Sequence, residues 1–277
     1  MVLLAVVGTA AWVDSGRAPE KAPGTVTPSG SALPAAGTPS PSGGPAQAQS
    51  APLPYPAQVL GLGYFELTLP VASNITGYAE EVKQPQLAGY ANAAYFATLP
   101  DGSGVRFVAP AGGATTSGSE YPRSELREMA NVGTKEASWS TTVGTHDLKL
   151  TESINHLPAM KPQLVFAQIH GQSDDLIEVE ISGKGNHNRL YVNHNGKQYG
   201  SDLDDNYALG TKFSLEIYVT GGYVDVWYNG VRHVHQNLSD SGDYFKAGCY
   251  TQSNPSKGDA PTAYGEVDIY AIKVSHG

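Results

Sequence analysis

A chain of 277 residues with one cysteine and a formal net charge of −9 excludes an internal disulfide and a multi-cysteine metal site. Its charge also argues against nucleic acid as a partner. Glycine (32), tyrosine (16) and proline (19) are plentiful while charged residues make up only 16%, the profile of a turn-rich all-β protein large enough to rely on its own core.

Residues 2–13 (Val-Leu-Leu-Ala-Val-Val-Gly-Thr-Ala-Ala-Trp-Val) are small and apolar, like the hydrophobic region of a secretory signal peptide, although no Lys or Arg precedes them. They are too short for an ordinary membrane span. Residues 14–57 are rich in Pro, Ala, Gly, Ser and Thr, and ten of the nineteen prolines fall between Pro19 and Pro56. Such a composition has too little apolar surface to offset the entropy of ordering, so a disordered linker is expected there. The expected organisation is a signal-like segment at 1–13, the linker, and a folded domain at 58–277. The expected product is a secreted, extracellular monomer with no membrane attachment once the signal is removed.

From residue 58 onward the pattern is one of short strands. Phe65-Glu-Leu-Thr-Leu-Pro70 alternates apolar and polar residues. Tyr95–Gly102 and Gly104–Ala109 read as strands around a Pro-Asp-Gly turn. Residues 110–120 lack any pattern and carry three glycines, which makes them a candidate lid over the strand they lead into. That strand is Tyr121-Pro-Arg-Ser-Glu-Leu-Arg-Glu128, where alternation puts Arg123, Glu125 and Arg127 on one face and Glu128 on the other. Two arginines held by the carboxylate between them would form a clamp for an anion.

Further strands are expected at Glu136–Thr142, His146–Ser153, Gln163–His170, Leu176–Ser182 and Phe213–Thr220, then at Tyr244–Gln252 and Gly265–Val274. Hairpins are expected at Asn195-Gly196 and Asn229-Gly230, since Asn-Gly between alternating strands favours a two-residue turn. A dozen or more short strands and no helix of normal length point to a two-sheet antiparallel sandwich or jelly roll.

Two more strands carry polar rows. Gln168 and His170 share a face, with Phe166 expected beside them and Ile169 opposite. Tyr244, Lys246, Tyr250 and Gln252 share another face, with Phe245, Ala247 and Cys249 turned inward. If these strands are neighbours, they assemble a cationic face with imidazole and phenol groups and without the paired acids of a glycosidase. That set suits β-elimination on a polyuronic acid. Arg and an amide neutralise the sugar carboxylate, a neutral His or an ionised Tyr removes the C5 proton, and a Tyr protonates the departing C4 oxygen. The chemistry requires neither metal nor cofactor.

Arg123-Ser-Glu-Leu-Arg-Glu128, Gln168-Ile-His170 and Tyr244-Phe-Lys-Ala-Gly-Cys-Tyr-Thr-Gln252 together resemble the three signature motifs of the polysaccharide lyase family 7 alginate lyases, in the family's order. The resemblance covers about residues 60–277. It implies a β-jelly roll whose concave sheet forms a cleft for alginate. It implies catalytic roles for Arg123, Gln168, His170 and Tyr250, and substrate binding by Glu125, Arg127, Tyr244, Lys246 and Gln252. Within that family an isoleucine between Gln and His goes with cleavage of guluronate-containing blocks, so Ile169 suggests that preference, and an endo-acting enzyme is expected. The residues alone also allow a non-catalytic polyuronide-binding module, or a lyase for another polyuronide such as a glucuronan.

Other features carry less. His233 and His235 lack a third zinc ligand. Asp202–Tyr207 has Tyr207 where a calcium loop of the EF-hand type needs glycine. Glu266 and Asp268, spaced like an acid pair, stand alone in the last strand.

Overall fold

The computed structural model describes residues 52–184 and 187–277. The signal-like segment and nearly all of the expected linker lie outside the described residues. Pro56 and Ala57, the last two residues of that expected linker, open a five-residue helix, α1 (Pro56–Leu60), which a left-handed Gly61 ends.

Beyond it the described residues form seventeen strands. The first seven are β1 (Phe65–Ala72), β2 (Ala79–Val82), β3 (Phe96–Thr98), β4 (Val105–Pro110), β5 (Arg123–Ala130), β6 (Lys135–Glu136) and β7 (Trp139–Ser140). Next come β8 (Thr145–His156), β9 (Gln163–His170), β10 (Asp175–Lys184), β11 (His187–His194) and β12 (Lys197–Asp204). The chain closes with β13 (Phe213–Thr220), β14 (Tyr223–Tyr228), β15 (Val231–Asn237), β16 (Ser241–Thr251) and β17 (Tyr264–His276). They form two antiparallel sheets. One runs β12-β11-β10-β9-β16-β5-β1-β2, with β6 on β5 and β7 on β16; the other runs β15-β14-β13-β8-β17-β4-β3. This is the expected jelly-roll sandwich, and the three motif strands are immediate neighbours in the order β9-β16-β5.

Alternation builds the core. Leu67, Leu126, Ala167, Ile169, Phe245 and Cys249 from the first sheet face Leu148, Leu150, Ile217, Val219 and Val267 from the second, all buried. Both Asn-Gly hairpins form as expected, with Asn195 and Gly196 at φ 49° and 74° and Asn229 and Gly230 at φ 48° and 78°.

Three local readings change. The expected strand at Glu136–Thr142 is broken into two two-residue pieces, β6 and β7, which pair with different partners. Ala79–Val82 forms an edge strand where none was expected. Phe166 does not share the face of Gln168 and His170. Between Ala167 and Val165 the pairing of β9 slips against both of its neighbours. This bulge turns Phe166 into the core, where it meets Phe213 edge-on at 5.7 Å. Alternation therefore fails at that one residue and resumes with Val165 opposite Glu180.

Candidate active site

Strand register assembles the site. Across β5 and β16, Arg123 is opposite Tyr250, Glu125 opposite Gly248 and Arg127 opposite Lys246. Across β16 and β9, Lys246 is opposite Gln168 and Tyr244 opposite His170. One row thus runs Arg127–Lys246–Gln168 at right angles to the strands, and it continues to Glu178 and Asn193 on β10 and β11. Directly opposed residues point to the same side of the sheet, so all of these face away from the core. Gly248 sits at φ 143°, and a Cβ there would lie 2.5 Å from the Ser124 carbonyl oxygen. Only glycine allows β16 to pass this close to Glu125.

The centre of the floor is Glu125, which is 1% exposed. Arg123 Nη1 reaches its Oε2 at 3.0 Å, and Lys246 Nζ reaches the same oxygen at 2.5 Å. Gln168 Nε2 donates to Oε1. Burial alone would raise the Glu125 pKa, but Lys246 and Arg123 outweigh it and hold the carboxyl below its usual range. Two cations share one anion, so this buried knot carries a net positive charge. Burial and the neighbouring Arg123 push Lys246 down to about 8. The expected clamp is therefore corrected: Glu125 joins Arg123 to Lys246, not to Arg127. Nor does Glu125 line the cleft; it lies under the floor and positions the groups that do. Arg127 turns the other way, to Glu136 at 3.0 Å and Glu66 at 3.6 Å, and stacks on the Tyr244 ring at 4.0 Å.

Above this floor lies a cleft of about 450 Å³, lined by Arg123, Arg127, Gln168, His170, Tyr244, Lys246 and Tyr250 among others. His170 stacks on Tyr244, with ring centroids 5.2 Å apart, and its Nδ1 is 2.8 Å from the Gly171 carbonyl. That carbonyl accepts only, so Nδ1 carries the hydrogen and Nε2 is left with a free lone pair when the ring is neutral. Burial, reinforced by the Lys246 and Arg123 charges, lowers the His170 pKa and favours that neutral form. In the turn that aims the carbonyl, a Cβ at Gly171 would meet Asp240 Oδ2 at 2.5 Å and could be fitted only by moving that carboxylate.

Tyr250 lies under the Arg123 guanidinium, 3.7 Å from Cζ to ring centre. Its hydroxyl is 2.9 Å from Ser119 Oγ, and burial raises its pKa, so it is protonated at neutral pH. Gln252 does not join this set. Strand β16 ends at Thr251, and Gln252 instead donates its backbone N–H to Gln163 O at 3.0 Å, outside the residues lining the cleft. Glu128 faces away, as alternation predicts, and accepts hydrogen bonds from Trp139, Phe245 and His276.

Several cleft residues escape the motif reading, among them Ser119 and Glu178. Ser119 comes from the patternless 110–120 stretch, whose only hint was its position before Arg123. Glu178 sits on the outward face of an alternating strand, a signal shared by many solvent-facing acids. Around the cationic floor runs an acidic rim that includes Glu81, Glu136, Asp174 and Asp175. Among the described residues, no group of three or more His, Cys, Asp or Glu side chains is placed to hold a metal ion.

The model of the alginate lyase family matches residues 60–276. The chain belongs to the alginate lyases. Alginate lyase AlgAT5 from polysaccharide lyase family 7 is 47% identical, covering 80% of this chain and 99% of its own at a TM-score of 0.76. The alginate lyase from Corynebacterium sp. is 41% identical, with coverages of 82% and 100% and a TM-score of 0.76. A doubly substituted family 7 alginate lyase A1-II', solved in complex with a substrate (GGMG), is 30% identical, with coverages of 82% and 98% and a TM-score of 0.65. This alginate lyase is thus a polysaccharide lyase that depolymerises alginate.

Proposed function

We propose that this alginate lyase cleaves by β-elimination with His170 as base and Tyr250 as acid, within guluronate-containing blocks and at interior bonds. The observation that carries the assignment of roles is the tie of His170 Nδ1 to the Gly171 carbonyl, which leaves Nε2 as the proton acceptor on the cleft side. Arg123 and the second amide hydrogen of Gln168 neutralise the C6 carboxylate of the sugar, so that charge developing on the C5 side is stabilised. His170 Nε2 takes the C5 proton. The electron pair of that C–H bond becomes the C4–C5 double bond, the C4–O bond breaks, and the departing oxygen receives the Tyr250 proton. In guluronate the C5 hydrogen and the C4 oxygen lie on opposite sides of the ring, which suits two separate groups.

The cleft is lined from β1, β5, β16, β9 and β10, so a polymer can lie across the sheet rather than end in it, which supports interior cleavage. Ile169 is fully buried on the core side, opposite Ile177 and Phe245, so any influence on block preference passes through the placement of Gln168 and His170. Arg127, Tyr244 and Lys246 grip the flanking sugars. The apolar 2–13 segment and an extracellular polymer substrate support a secreted enzyme, which we take to act as a monomer.

The roles are tested with Tyr250→Phe. Formation of the unsaturated product, followed by its absorbance, should fall about 10³-fold while polymer binding persists; equal loss of both would overturn the acid role. A fall in alginate viscosity that leads product release marks interior cleavage, and rates on polyguluronate against polymannuronate decide the preference. The mature N-terminus and the solution mass of the secreted protein check the last two readings.

A further inference from the structure

Two acids occupy consecutive outward positions on β10, and their surroundings differ sharply. Glu180 is saturated with donors: Gln163 Nε2 at 2.5 Å, Tyr191 Oη at 2.9 Å and Asn193 Nδ2 at 2.7 Å. Both of its oxygens are engaged by donors. Glu178 lines the cleft, directly opposite Gln168 on β9. Among the described residues, none hydrogen-bonds its carboxyl. Even Asn193, its partner across β11, sends its amide to Glu180 instead.

The charges facing Glu178 come from every strand around it. Its own strand contributes Asp175 and Glu180, both acidic. From β5 come Glu125 and, with a smaller opposing effect, Arg123. His170 on β9 and Lys246 and Tyr250 on β16 line the same cleft, while β11 adds Tyr191 and His194, which are engaged with Glu180 and Asp175. An ionised carboxylate here would lie against a polyanion with no donor to stabilise it, which would cost binding. A neutral carboxylic acid reverses the sign, because its O–H can donate to a substrate carboxylate.

We propose that Glu178 binds alginate as a neutral carboxylic acid, donating its proton in a hydrogen bond to the carboxylate of the sugar next to the one held over Gln168. This rests on the alginate lyase activity and adds a substrate-binding residue to it. Adjacent strands are about 4.8 Å apart, so β10 stands one step further along the cleft than β9, where a neighbouring sugar would lie. Burial, helped by the charges of Asp175, Glu180 and Glu125, lifts the Glu178 carboxyl to about 8, so the neutral form persists at neutral pH. Above that, ionisation removes the donor and adds repulsion in one step.

The test compares Glu178→Gln with the wild-type enzyme on alginate across pH 7 to 9, following the unsaturated product. Glutamine keeps the size and a donor but cannot ionise. The ratio of mutant to wild-type kcat/KM should climb about tenfold over that range, the rise lying in KM rather than kcat. Taking the ratio cancels the titration of Lys246, which both proteins share. Glu178→Ala, which has neither donor nor charge, should show the same climb from a lower starting value. A flat ratio in whichever variant folds overturns the proposal, whereas absence of product from the wild-type enzyme would count against the lyase reading instead.

Discussion

The Tyr250 hydroxyl is hydrogen-bonded to Ser119. The two oxygens are 2.9 Å apart, and Ser119 Oγ is itself held by the Tyr121 backbone, 3.1 Å from its carbonyl and 3.0 Å from its N–H. A residue from the loop that enters β5 thus fixes the direction of the acid, while burial keeps it protonated. Ser119→Ala should lower kcat by about tenfold, the size of one lost hydrogen bond, against about 10³-fold for Tyr250→Phe. Steady-state kinetics check this. If Ser119→Ala changed KM alone, the loop would be holding substrate rather than the acid.

The Glu125 knot should matter as much to stability as to turnover. Replacing Glu125 with Gln leaves Arg123 and Lys246 buried with no anion between them, which costs about 3–5 kcal/mol. For a domain of this size that lowers Tm by roughly 6–20 °C. Adding Lys246→Met should recover part of the loss by removing one of the stranded charges. Thermal unfolding of both variants decides it, and no recovery in the double variant would show that the two residues are not coupled.

Much of this site was legible in the sequence because the rows obey strand alternation. Arg123, Gln168, His170, Tyr244, Lys246 and Tyr250 converge once β9, β16 and β5 are neighbours. What alternation does not specify is pairing. Glu125 was readable as a face residue, but its preference for Lys246 over Arg127 depends on the register of β16 against β5. The bulge at Phe166 has the same origin, since it arises from a slip against two neighbours rather than from the residues of β9. Gln252 fails for a simpler reason: the strand stops one residue earlier. Ser119 was out of reach because its loop carries no period to extrapolate.

The pH profile should be broad on its acid side. Burial, with help from Lys246 and Arg123, keeps the His170 pKa below 6.5, so the base stays neutral and competent as pH falls through that value. The acid-side midpoint of kcat/KM should therefore lie below 6.5. On the alkaline side Lys246 loses its charge near 8 and binding weakens. An acid midpoint above 6.5, measured under saturating and subsaturating alginate, would argue against His170 as the base.

Acid should also loosen the contacts of β8 with β7. His146 Nε2 lies 2.9 Å from the Val143 carbonyl and its ring stacks on Trp139 at 4.2 Å. Burial lowers its pKa, so the folded state prefers the neutral ring. The unfolded chain protonates first as pH drops below about 6.5, and the His146 contribution to stability is lost from there downward. His146→Phe keeps the stack without the titration. Its Tm should fall less than that of the wild type between pH 7 and 5, and equal slopes would assign the acid sensitivity to other groups.

Salt should raise activity before it lowers it. The chain carries −9 overall and its cleft has an acidic rim of Glu81, Glu136, Asp174 and Asp175, whereas Arg123 and Lys246, which meet the substrate, are buried in the floor. A polyanion approaching from solution meets the rim first. Exposed charges are screened beyond about 8 Å at physiological ionic strength, while contacts with Arg123 and Lys246 at the buried floor are screened far less. Moderate salt therefore removes more repulsion than attraction, and kcat/KM on alginate should pass through a maximum as sodium chloride is added. Glu136→Gln with Asp174→Asn should shift that maximum to lower salt. A steady decline from the lowest ionic strength, in the wild type and the variant alike, would mean that the floor dominates at long range and the rim is electrostatically silent.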